Sequence, residues 1–160
     1  MSKYLKPILI LIPIMFLQIF GIPFISFSNI GPNIIVILLV YFALINGQIY
    51  GSILGFLFGI FFDLLSGGIL GSSMFALTAA GFLTGYFYNP NKIEANFTSL
   101  NFAFVVFLAS IIYFFLFTLI GPDKFNFDLM KLIFERSIIP AFYTAVIALI
   151  FIVLVPKKSF

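Results

Sequence analysis

The chain has 160 residues, is 63% hydrophobic and 8% charged, and carries a net charge of +3. Its mean hydropathy of +1.26 excludes an ordinary water-soluble domain, because eight cations and five acids cannot cover so apolar a chain. With no Cys and no His, disulfide scaffolds and thiolate or imidazole metal sites are ruled out; the small positive charge is no nucleic-acid footprint, and no cofactor is expected.

A hydrocarbon core about 30 Å thick takes roughly 20 apolar residues per helical crossing, so six crossings use about 120 residues. The chain therefore reads as one all-α integral membrane domain of six transmembrane helices surrounded by lipid. The first run, residues 7–25, follows Lys3 and Lys6 and reads as an uncleaved signal-anchor helix. Ser26-Phe27-Ser28 only weakly resembles a cleavage site. Pro13 should kink this helix, Gln18 is its one polar side chain at depth, and Gly21-Ile22-Pro23 should close it. Pro32 suits the first turn of a second helix over residues 32–45. Asn46-Gly47-Gln48 then turns the chain into a third, 48–65. A single helix from 33 to 65 would be about 50 Å long, well beyond the hydrocarbon core.

Leu65-Ser66-Gly67-Gly68 breaks the chain again, and Ser72 or Ser73 is placed to cap a fourth helix over 72–88. A loop around Asn89-Pro90 precedes a fifth span, 97–120, which stops at Gly121-Pro122. Residues 127–136 mix apolar and charged positions at helical spacing and predict a short interfacial helix leading into the last span, 138–155. Six spans put Lys3, Lys6, Lys92, Lys157 and Lys158 on one side, and Lys124, Lys131 and Arg136 on the other. The positive-inside rule then places both termini in the cytoplasm.

Two features carry what functional content there is. Gly47, Gly51, Gly55 and Gly59 recur every fourth residue, which turns one ridge of the third helix into a groove for close helix approach. The occupant is either another span of this chain or a partner, whether a different membrane protein or a second copy. Thr78, Gly81, Thr84 and Gly85 give the fourth helix a matching small-residue face. Asp63 is the lone carboxylate inside a predicted span, at the depth of Arg136. The two are expected to pair or to line an outward-facing polar pocket with Asn29 and Asn33; the competing expectation is that Asp63 caps the next helix or reaches interfacial water. One buried acid without His or Cys supplies no general-base pair, so no enzyme is expected. Asn96-Phe97-Thr98 matches a glycosylation pattern by chance, at a predicted cytoplasmic helix start.

The run Gly31-Pro32-Asn33, Tyr41-Phe42-Ala43-Leu44, Gly47, Gly51, Gly55-Phe56, Gly59, Asp63, Gly68 and Gly71 resembles the central pattern of the bacterial rod-shape-determining MreD family. Phe134-Glu135-Arg136-Ser137-Ile138-Ile139-Pro140 followed by Phe142-Tyr143-Thr144 is similar to that family's last-span signature. Family members often carry Pro-Asp where this chain has Pro32-Asn33. The resemblance implies a non-enzymatic subunit of the cell-elongation machinery in the cytoplasmic membrane. Such a subunit binds the single-span protein MreC and helps couple MreB filaments to peptidoglycan synthases. It also implies a fold similar to the substrate-binding subunits of energy-coupling-factor vitamin transporters, which makes a transporter subunit the rival function. Those subunits carry an Ala-x-x-x-Ala-like pair on the first helix, whereas Lys6-Pro7-Ile8-Leu9-Ile10-Leu11-Ile12-Pro13 has no small residue there.

Overall fold

A computed structural model of the protein describes residues 2–26, 31–90, 97–120 and 134–154. Within them the chain is helical, with α1 (Ser2–Phe16), α2 (Ile22–Ile25), α3 (Ile34–Asn46), α4 (Gln48–Ser66), α5 (Ser72–Thr84), α6 (Ser99–Ile120) and α7 (Ile139–Leu154). Four stretches are long and apolar enough to cross a membrane: Pro7–Ile25, Gln48–Ser66, Leu100–Ile120 and Phe134–Val153. The shorter α3 and α5 are packed among them.

Gly21-Ile22-Pro23 does not break the first span. A π-helical turn, Leu17–Gly21, carries the chain into α2, with the Ile22 N–H donating to the Leu17 carbonyl. Pro23 then sits in the first turn of α2, where its missing N–H leaves nothing unsatisfied. The helix ends at Ser26, whose hydroxyl donates to the Pro23 carbonyl and whose backbone turns extended. Leu11 and Met15 are buried, while Leu9, Ile12, Phe16, Phe20 and Phe24 point outward, as lipid contact demands.

The centre of the molecule is α3. Ile35 to Val40, Ala43 and Leu44 are all buried, so the helix is apolar on every side and enclosed by protein. It packs on α1, α4, α5, α6 and α7. At 13 residues it spans only about 20 Å, and its enclosure lets a short helix lie at membrane depth without presenting its ends to lipid. Gly47 alone separates α3 from α4; its φ of +89° lets the chain reverse in one residue. Near that turn Tyr41 meets Phe42, Phe97 and Phe151 edge-on, tying α3 to the start of α6 and the end of α7. The closest partnerships among the outer helices are α4 with α5 and α6 with α7. Of the interfacial segment expected over 127–136, residues 127–133 lie outside the described residues, and Phe134–Ile138 forms a π-helical turn leading into α7.

Candidate functional site

Two structures stand out: a glycine seam between α4 and α5, and a knot of polar groups where several helix ends meet. In the seam, a Cβ built on Gly51 would strike the Gly81 carbonyl. One on Gly55 would strike the Leu77 carbonyl, and one on Gly59 the backbone of Met74. Gly81 reciprocates against Gly51, and Gly85 lies against the backbone of Gln48. As numbers rise along α4 they fall along α5, so the seam is the antiparallel contact of one helical hairpin, made backbone to backbone along its length. Gly51 also sits beside Ala43, which brings α3 into the same junction.

The four-residue ladder therefore divides by task. Gly51, Gly55 and Gly59 are buried in the seam, out of reach of any partner that does not displace α5. Gly47 instead makes the α3–α4 turn, where a side chain would approach the Tyr88 ring. Gly67 and Gly71, which keep the spacing further on, are turn residues at φ +67° and +103° with open space around them.

The knot starts at Asp63, which is 2% exposed. Its Oδ2 accepts from the Gly71 N–H at 2.8 Å and the Met74 N–H at 3.3 Å, and its Oδ1 from the Ser73 N–H at 3.1 Å. A carboxylate on the last turns of α4 thus caps the start of α5, where unpaired amides and the helix dipole both favour a negative charge. The serines expected to cap this helix do not: no side chain at its cap position bonds, and the Ser72 hydroxyl donates backward to the Ile69 carbonyl. Asn33 caps α3 in the same way, its Oδ1 accepting from Ile35 and Val36. The Asn33 N–H donates to Thr144 Oγ1 of α7 at 3.1 Å.

Gln18, set in the π-helical turn, brackets the same corner. Its Nε2 donates to the Pro32 carbonyl at 3.0 Å, and its Oε1 accepts from the Ile34 N–H at 2.9 Å. The Tyr143 hydroxyl donates to the Ile25 carbonyl. From α6, the buried Tyr113 brings its hydroxyl beside Ser73 and Asn33, near the Asp63 charge.

The structure thus gathers Asn33 and Asp63 around Tyr113. Arg136 is exposed on the π-helical turn before α7, and the hydrogen bonds to Asp63 come from backbone amides. Asn29 lies outside the described residues. Sequence reasoning passed over Tyr113, Ser73 and Thr144 as parts of this knot. A lone Tyr hydroxyl in the phenylalanine-rich α6 was the one available signal.

Elsewhere, an apolar groove of about 330 Å³ runs between the end of α5 and the middle of α6, lined by Leu83, Phe87, Val105, Leu108 and Ile112. Thr84 also borders it, but its hydroxyl is engaged with the Ala80 carbonyl. The groove is suited to hydrocarbon rather than to a polar substrate. Among the described residues no cluster of acids could hold a metal ion.

A family model described as rod shape-determining protein MreD matches residues 2–158. No curated protein and no solved structure matches the chain.

Proposed function

Because the chain belongs to the MreD family of rod shape-determining membrane proteins, we propose that it is a non-enzymatic scaffold subunit of the bacterial cell-elongation complex. In this reading it sits in the cytoplasmic membrane with both termini in the cytoplasm. It binds the single-span protein MreC and helps to couple MreB filaments to the peptidoglycan synthases. The observation that carries the reading is the family match over nearly the whole chain.

The geometry adds support of a particular kind. The groups that could have done chemistry hold helix ends: Asp63 and Asn33 cap α5 and α3, and Gln18 clamps the entry to α3. The glycines contribute by fixing the α4–α5 hairpin rather than by offering their own surface. MreC, or a second copy of the chain, would then dock on the lipid-facing side chains of that rigid hairpin. The test is affinity capture of the tagged protein from detergent-solubilised membranes, with mass spectrometry of what is recovered. MreC is the expected companion. Recovery of an ATP-binding-cassette module without MreC would overturn the scaffold reading in favour of a transporter subunit.

A further inference from the structure

The turn that joins α4 to α5 differs from the end of a hairpin that emerges into water. Every residue from Leu64 to Leu70 is exposed, and Leu64, Leu65, Ile69 and Leu70 are large aliphatic side chains. Between Lys6 and Lys92 the one charged residue is Asp63, and it is buried beneath this turn. The start of α5 also takes its acceptors from the protein. Asp63 holds three amides, and the Ser72 N–H and hydroxyl both donate to the Ile69 carbonyl. A helix start in water can leave such amides to solvent, whereas one among lipids needs internal partners.

Helix lengths give the height of the turn. At 1.5 Å per residue, α4 rises about 23 Å from Gln48 to Asp63 and about 5 Å more to Ser66. With the polar turn Asn46-Gly47-Gln48 at one face of a hydrocarbon core about 30 Å thick, Ser66 stops just short of the other face. α6 begins at the Gly47 end, where Phe97 meets Tyr41, and reaches the knot at Tyr113. It then rises about 10 Å further, to Ile120, and so overtops the α4–α5 turn. Gly67 and Gly68 set the opposite limit. Their exposed backbone has no side chain to cover it, so it belongs among headgroups and no deeper in hydrocarbon.

We propose that the α4–α5 turn is a lipid-binding surface, anchored at the acyl–headgroup boundary of the leaflet opposite Gly47. Leu64, Leu65, Ile69 and Leu70 enter the acyl chains, while the backbone of Gly67 and Gly68 meets the headgroups. Lipid is the occupant because the turn offers no charge to a soluble partner, and its height places it where lipid begins. The anchor fixes the depth of the rigid α4–α5 hairpin. It rests on the membrane location of the chain and not on any protein partner.

Spin labels placed one at a time on the full chain in phosphatidylcholine nanodiscs test the proposal, since the protein contains no cysteine of its own. Leu65→Cys and Leu70→Cys carry the label on either side of the turn. Ile53→Cys, exposed on the middle of α4, marks lipid contact, and Pro90→Cys, exposed beyond α5, marks water. The readout is the ratio of label collisions with oxygen to collisions with a water-soluble nickel chelate. At Leu65 and Leu70 this ratio should exceed the Pro90 value severalfold and stay below the Ile53 value. A ratio at the Pro90 level at either position would show a turn that emerges into water, and would overturn the proposal. Labels shielded from both reagents would show a second copy of the chain covering the turn, and would overturn it equally.

Discussion

Asp63 shows how one charged side chain is made tolerable inside an apolar bundle. A carboxylate at membrane depth costs a few kcal/mol unless it is compensated. Here the compensation is three backbone amides at a helix start, which themselves need an acceptor. Asp63→Asn keeps the shape and one acceptor but loses the charge, and should destabilise the protein by about 1–2 kcal/mol. Asp63→Ala strands all three amides and should cost more. Unfolding midpoints in a graded detergent series would rank the two. Arg136→Gln combined with Asp63→Asn should give near-additive effects if the cap is the whole role of Asp63, whereas a coupling energy would establish the ion pair.

That a lone acid matters could be read from the chain, since apolar spans admit few charges. Its partners could not be read, because the capped amides belong to residues 8 to 11 positions further on, across a turn whose course depends on Gly67 and Gly71.

At the level of helices, period-four glycine spacing announced a close approach. The residues on the other side, from Gly81 to Met74, follow only once α5 folds back along α4. Spacing alone also could not separate seam glycines from turn glycines, because Gly47, Gly67 and Gly71 keep the same interval for a different reason, a positive φ. A contrast between two glycines tests the seam. Gly55→Ala places a methyl group against the Leu77 backbone and should destabilise by about 1–3 kcal/mol, the range for overpacking. Gly21→Ala meets only the Leu17 side chain at 3.4 Å and should be nearly neutral or slightly stabilising. Thermal unfolding in detergent micelles would separate the two.

The π-helical turn at Leu17–Gly21 was not legible either. Gly21 and Pro23 carry the local signature of a helix end, yet tertiary demand prevails: the widened turn holds Gln18, which clamps both sides of the α3 entry.

For the whole molecule, composition alone established a helical membrane protein, because hydropathy reports the solvent directly. The enclosure of α3 was invisible to it: an apolar helix in lipid and an apolar helix in protein have the same sequence character. Topology is open to a simple assay, since the chain contains no cysteine. Lys6→Cys and Lys158→Cys should resist a membrane-impermeant maleimide applied outside intact cells, while Asp123→Cys should react.

The central claim is that this member of the MreD family maintains cell shape, and depletion tests it most directly. Cells of the host from which the protein is withdrawn should lose their elongated form, as seen by microscopy within a few divisions, and regain it when the wild-type chain is restored. Unchanged shape after the protein has fallen below detection in the membrane would contradict the account.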